Sequence, residues 1–262
     1  MTNKPWSGAE CVRRYAGAGI GGITFWRHDF QQTPAAELGR LAREEGLTVT
    51  GLARGGFFPA LDLAGRQAAI EDNLHAIDEA RECGAPVLVL VCGAVPGLPL
   101  ADARQQIATG IHAVLSHARA AGVRLAIEPL HPMYADSRSA IVTVGQANEV
   151  CDWLGSPPEV GIAVDVYHTW WDASLESEIQ RAGQAGRLFS FHVCDWKTPT
   201  TDLLNDRGLM GEGCIPIRRL RRTMESAGFS GFSEVEIFST RYWEMDQATY
   251  LEKIVTACHE HC

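Results

Sequence analysis

The sequence predicts an α/β fold: a (β/α)8 TIM barrel with a short or truncated first strand, occupying residues 1–262 as a single domain. Three observations carry this expectation. Amphipathic helices end at a glycine and an apolar strand starts directly afterwards, at Gly46, Gly84, Gly122, Gly155, Gly186 and Gly228. The intervals of 38, 38, 33, 31 and 42 residues suit strand–helix units, and the total of 262 residues suits eight of them. No strand leads into a glycine-rich phosphate loop, which weakens the doubly wound alternative.

The strands read as near-continuous apolar runs, as parallel strands buried on both faces must. They are "IGGITFW" (20–26), "LTVTGLA" (47–53), "PVLVLVCG" (86–93), "VRLAIEPL" (123–130), "VGIAVDVY" (160–167), "RLFSFHVCDW" (187–196) and "GFSEVEIF" (231–238). That makes seven, and only "MTNKPW" remains to supply the first. Between them lie helical stripes: Ile70, Leu74 and Ile77; Ile107, Ile111, Val114 and Leu115; Ala147, Val150, Cys151 and Leu154. Thr143 with Gln146 forms a capping-box pattern ahead of the third stripe. A last helix starts near Asp246, with Leu251, Ile254 and Val255 inward.

Composition narrows the function. A net charge of -9 excludes a phosphate-neutralising surface, and the one basic run, "RRLRR" (218–222), reads as a solvated helix face. Nucleic acid is therefore not an expected partner. No apolar stretch reaches the roughly 20 residues of a membrane span, and "MTNKPWSGAE" lacks the pattern of a secretory signal, so a cytoplasmic protein is expected. The 8 cysteines are scattered without a C-x-x-C pair and read as reduced thiols. The terminal "ACHEHC" reads as a helix end rather than a metal site.

In a parallel barrel the chemistry sits at the C-terminal strand ends. Counting the missing first, the fifth strand ends in Glu128, the sixth in Asp165, the seventh carries His192, and the eighth carries Glu234 and Glu236. Neighbouring strands lie about 4.8 Å apart, so these groups can converge. Three buried carboxylates repel one another unless a cation lies among them. Oxygen donors with one imidazole suit Mn2+, Mg2+, Co2+ or Zn2+. Glu236 is preferred to Glu234 because it lies nearer the strand's end.

The segments "IEPLHP", "DVYHTWW", "FHVCDW" followed by "RGLMGEG", and "VEIF" resemble the xylose-isomerase-like TIM-barrel superfamily of sugar phosphate isomerases and epimerases along nearly the whole chain. The resemblance implies one divalent metal ion held by Glu128, Asp165, His192 and Glu236, with Glu128 and Glu236 as catalytic acid/base residues. It further implies that His168 and Arg207 bind substrate. Asp195, His131, Trp26 and Trp170 are added as substrate-binding candidates, with Trp196 as a third aromatic at a strand end. "RGGFF" (54–58) reads as a lid with Gly55 and Gly56 as hinges. Tyr134 stands near the place where ketose 3-epimerases of the superfamily carry an extra Glu, a departure from that branch. The endonuclease branch needs further ligands on strands two to four, where Trp26, His28, Arg54 and Cys92 stand instead. The expected activity is a metal-dependent isomerase or epimerase acting on a sugar, sugar phosphate or cyclitol through an enediolate. A lyase or dehydratase on the same residues is the alternative. A non-enzymatic sugar binder fits poorly with an intact quartet. Relatives pair up, so a homodimer is among the expected states.

Overall fold

A computed structural model describes residues 1–262. Its framework is one parallel sheet of seven strands, β1 (Gly22–Trp26), β2 (Thr48–Gly56), β3 (Val87–Val91), β4 (Arg124–Glu128), β5 (Val160–Asp165), β6 (Leu188–Val193) and β9 (Ser233–Val235), hydrogen-bonded in that order. The sheet curls into a nearly closed barrel. A two-stranded antiparallel ribbon, β7 (Asp195–Trp196) with β8 (Arg207–Gly208), stands above β6. The helices are α1 (Gly8–Gly17), α2 (Ala35–Glu44), α3 (Leu63–Cys83), α4 (Leu100–Ala121), α5 (Val144–Trp153), α6 (Val166–Thr169), α7 (Leu175–Gln184), α8 (Ile217–Ser226), α9 (Thr240–Trp243) and α10 (Gln247–His261). No helix is long and apolar enough to cross a membrane.

The glycines that close the helices do so for the expected reason. Gly46, Gly84, Gly122, Gly155, Gly186 and Gly228 all have positive φ, where a Cβ would strain the backbone. Several helix starts are side-chain capped: Asp62 accepts from Gly65 N at 2.7 Å, Thr143 from Gln146 N at 3.1 Å, and Asp246 from Thr249 N at 2.9 Å.

Two apolar layers result. Leu88, Leu90, Leu125 and Ile127 point outward into a cluster shared with the helices, whereas Val87, Val89, Ala126, Ala163 and Phe189 form a separate small cluster inside the ring. Side chains alternate between the two faces of a strand with period 2. Glu128 lies two residues past Ala126, and Asp165 two past Ala163, so both face inward at the rim.

The short first strand takes an unexpected form. Residues 1–6 contain no strand, and β9 does not pair with β1. Instead Thr2 Oγ1 donates to Val235 O and accepts from Ile237 N, both at 3.1 Å, doing with a hydroxyl what a neighbouring backbone would do. Inside, Glu234 accepts hydrogen bonds from Thr24 on β1 and Thr50 on β2, the latter at 2.8 Å.

The expected hinge at Gly55 and Gly56 is corrected. Both belong to β2, and Gly56 is pinned by Asn73, which accepts from its N–H and donates to its carbonyl, each at 2.7 Å. The glycine is needed for close approach: φ is +107°, and a Cβ would lie 2.0 Å from Val91 O. Gly56→Ala is therefore expected to cost at least about 3 kcal/mol in urea unfolding, combining backbone strain with a backbone clash. Gly122→Ala, with positive φ but open space around it, should cost only about 1–2 kcal/mol.

Candidate active site

Four strands deliver one donor each to a common point. Ligand-type atoms of Glu128, Asp165, His192 and Glu236 all lie within 4.8 Å of one another. Glu128 ends β4, Asp165 ends β5, and His192, paired with Asp165 in the ladder, sits in β6. Glu236 follows β9 directly, while Glu234 is withdrawn by its threonine partners and stays out of the group. Glu128, Asp165 and His192 are each no more than 5% exposed.

A buried guanidinium completes the arrangement. Arg207 Nη1 donates to Asp165 Oδ2 at 2.9 Å and to Glu236 Oε2 at 2.8 Å. Its Nη2 lies 3.0 Å from His168 Nε2, and its Cζ lies 4.4 Å from the Tyr167 ring centroid and 5.0 Å from that of Phe238. His192 Nδ1 is 2.9 Å from Glu128 Oε1. Asp165 also caps α6, accepting from Tyr167 N at 2.8 Å. One turn of that helix brings His168 Nε2 to 3.6 Å from Asp165 Oδ2.

The electrostatics are those of a cluster with surplus negative charge. Burial pushes the Asp165 carboxyl up to about 7 against the opposing pull of Arg207. Burial also raises Glu128, with His192 resisting. Burial works the same way on Glu236, but the charge of Arg207 and then that of His192 outweigh it and leave the group lowered. Desolvation would lower His192, yet its hydrogen bond to Glu128 and the neighbouring carboxylates hold it up at about 10. His168 is driven well below the ordinary imidazole range by burial and by Arg207.

The donor set fits a divalent cation. Three carboxylates set against one guanidinium leave two negative charges once His192 is neutral, and one divalent ion balances them. Three oxygens and one nitrogen suit Mn2+, Mg2+, Co2+ or Zn2+. Glu128, Asp165, His192 and Glu236 are the residues that can hold it.

The remaining candidates divide. Trp26 lines a cavity of about 340 Å³ that also reaches Glu128, His192 and Glu236. His131 stacks on Trp196 with centroids 5.0 Å apart and accepts from Met133 N at 3.2 Å, which makes it a loop brace. Trp170 packs 5.7 Å from Trp196, and its Nε1 has no partner. Asp195 departs from the substrate-binding expectation. Its Oδ1 accepts from the N–H groups of Trp196 and Ile215 and its Oδ2 from those of Gly211 and Gly213, at 2.9–3.0 Å, so both oxygens are spent on the chain.

Sequence reasoning overlooked Tyr167, which forms a seat for Arg207, and the threonines Thr24 and Thr50 that join Glu234 in a polar trio. Tyr134 is a buried ring 5.8 Å from His168, with its hydroxyl donating to Leu203 O at 2.5 Å. The signal for the trio was present, since Thr24 and Thr50 are polar residues inside apolar strands.

Comparison with known proteins agrees with this geometry. A family model described as a xylose isomerase-like TIM barrel matches residues 12–255. Inosose isomerase of Halalkalibacterium halodurans is 24% identical over 193 residues, covering 72% of this chain and 66% of that protein, slightly under two thirds of its length. The crystal structure of a protein from Sinorhizobium meliloti 1021 superposes with a TM-score of 0.94 at 48% identity, over 98% of this chain and 94% of that one. The zinc-bound IOLI protein superposes with a TM-score of 0.82 at 18% identity, over 95% and 90% of the two chains, a likeness of fold. Strand order, rim chemistry and the match over 12–255 lead to one conclusion: the chain belongs to the xylose isomerase-like TIM-barrel family.

Proposed function

We propose that this protein is a divalent-metal-dependent isomerase or epimerase of a keto-sugar or cyclitol, and that Glu128 and Glu236 transfer the proton. The observation that carries the proposal is the convergence of four ligating groups within 4.8 Å at the rim. The inosose isomerase relative supports the class of chemistry. A divalent cation bound there supplies Lewis-acid charge for a carbonyl and its neighbouring hydroxyl.

The chain's own residues do the rest. Glu128 and Glu236 reach the site from separate strands, so one can take the α-proton and the other can return it. His168 accepts from Arg207 at Nε2, which places its proton on Nδ1, an atom with no partner in the protein. That N–H is left to donate to a substrate oxygen. Arg207 holds the Asp165 and Glu236 carboxylates in place and keeps a positive charge beside the developing enediolate. Trp26 covers the cavity wall next to them and helps to exclude water.

Three measurements test this reading. Protein loaded with Mn2+ and freed of excess ion should retain one equivalent. Glu236→Gln should weaken retention by more than roughly 100-fold, beyond the loss typical of an outer-shell partner, while Glu234→Gln should retain the ion. Equal retention by both variants would overturn the ligand assignment. Metal binding at pH 7 should release at least one proton. His192 holds its proton up to about 10 in the metal-free protein and must lose it to ligate, so apparent affinity should rise with pH across that interval. Calorimetry in buffers of different ionisation enthalpy counts the protons, and a count of zero contradicts the role of His192. Finally, incubating inososes and keto-sugars with the Mn2+ protein in heavy water should place solvent deuterium at the α-carbon, read by NMR. An unsaturated product instead would identify a lyase.

A further inference from the structure

Seven arginines of this chain are buried or half-buried: Arg27, Arg54, Arg66, Arg104, Arg138, Arg187 and Arg207. Five of them give the guanidinium an acceptor. Arg27 has Glu79 and Asp72, Arg66 has Ala60 O, Arg104 has Ala140 O, Arg187 has Asp152, and Arg207 has the rim carboxylates. Arg54 and Arg138 have none, although the chain carries 32 acidic residues against 23 basic ones. Leaving a partly desolvated charge unpaired is costly, and an unpaired charge beside a second like charge more so.

The rings that seat these two arginines, Phe57 and Tyr134, belong to one apolar cluster with Val91 and Leu130, and Arg54 itself reaches the site. Arg54, from β2, lines the cavity that contains Glu128, His192 and Trp26. Its guanidinium lies over Phe57 at 4.3 Å. Arg138 follows β4, and its guanidinium lies over Tyr134 at 5.5 Å, the ring that packs against His168. Both are tied to the end of β3: Phe57 N donates to Val91 O at 2.9 Å, and Gly93 N donates to Arg138 O at 2.8 Å. Beyond burial, the charge of Arg138 acts most strongly on Arg54, with Asp72 and Glu128 pulling the other way. Aromatic seats orient a guanidinium plane and leave its N–H edge free, the geometry that receives a carboxylate or phosphate.

We infer that Arg54 and Arg138 form an anion subsite, and that the substrate carries a carboxylate or phosphoryl group at the end remote from the reacting carbons. The inference rests on the proposed isomerase activity for the identity of the rest of the substrate. The rim quartet comes from β4, β5, β6 and the end of β9, whereas Arg54 comes from β2, across the cavity. A substrate held at one end by the quartet would thus extend toward the pair. Within the keto-sugar and cyclitol class, a member that carries an anionic group would give both guanidiniums a counterion and is the better substrate.

The subsite is tested on metal-free protein, so that an anion cannot report through a bound cation. Gluconate, inorganic phosphate and neutral sorbitol are titrated calorimetrically at low salt into the native chain, Arg54→Gln, Arg138→Gln, Arg54→Lys and Arg40→Gln. Arg40 is paired with Glu44 on an exposed helix and serves as the control. Gluconate or phosphate should bind the native chain, and binding should weaken roughly tenfold or more in either glutamine variant. It should survive in part in Arg54→Lys, which keeps the charge and excludes a folding defect, and fully in Arg40→Gln. Preference for gluconate assigns a sugar acid, and preference for phosphate assigns a sugar phosphate. No anion binding by the native chain, or equal binding by all variants, overturns the subsite. Metal retention by the same native preparation is measured separately, so loss of the isomerase reading and loss of the subsite give different results.

Discussion

The constraint on which this site depends is the neutralisation of three inward carboxylates at the rim of an otherwise apolar barrel. Nothing in the small interior cluster of Val87, Val89, Ala126, Ala163 and Phe189 can solvate a charge. Arg207 is therefore indispensable, and much of the loop architecture serves to place it. Asp195 gathers four backbone N–H groups, three of them from the segment after Arg207, while the β7–β8 ribbon pairs Trp196 with Arg207 itself. The glycines of "RGLMGEG" fit the same purpose: a Cβ at Gly213 would lie 2.1 Å from Trp196 O. A residue that resembled a substrate contact thus anchors the residue that compensates the charge.

The barrel was legible because its information is local and repetitive. The helices that lead into barrel strands stop at glycines of positive φ, most strands are apolar runs, and the period-2 rule alone fixes the inward direction of Glu128 and Asp165. The quartet was legible for the same reason, since each member lies at a strand end. What was obscure is pairwise and distant. Glu234 and Glu236 are equivalent in a single strand, and they are told apart by Thr24 and Thr50, more than 180 positions earlier. Gly55 and Gly56 resembled a hinge because glycine permits both motion and close approach. The Asn73 amide and the Val91 carbonyl select the second.

The rim carries charges of both signs. Carboxylates and imidazole come from β4, β5, β6 and the segment after β9, with Arg207 among them, while guanidiniums without an acceptor of their own come from β2 and the loop after β4. An anionic group seated at the proposed Arg54–Arg138 subsite would fix the ligand's orientation, because reversing it would set that group against the rim carboxylates. The aromatic residues contribute rigidity more than contact. Tyr167, Trp170, Trp196 and His131 brace one another across the loops after β4, β5 and β6, and Tyr134 joins them through His168. Only Trp26 among the tryptophans lines the cavity itself.

Closure of the barrel reflects the same economy of polar groups. A seven-stranded parallel sheet leaves two edges, and an edge with unsatisfied N–H and C=O groups is unfavourable in the interior. Here the edges are joined by side chains. The Thr2 hydroxyl serves the backbone at the end of β9, and the Glu234 carboxylate bridges to the hydroxyls of Thr24 and Thr50. Hydroxyl-to-carboxylate bonds fix distance without filling the space that a paired strand would fill. The cavity of about 340 Å³ runs along this seam, lined by Ile23, Thr24, Thr50 and Val235, up to Glu236. The missing stave therefore shapes the site: it leaves beside the proposed base a seam bridged by Thr24, Thr50 and Glu234, where an eighth strand would have stood.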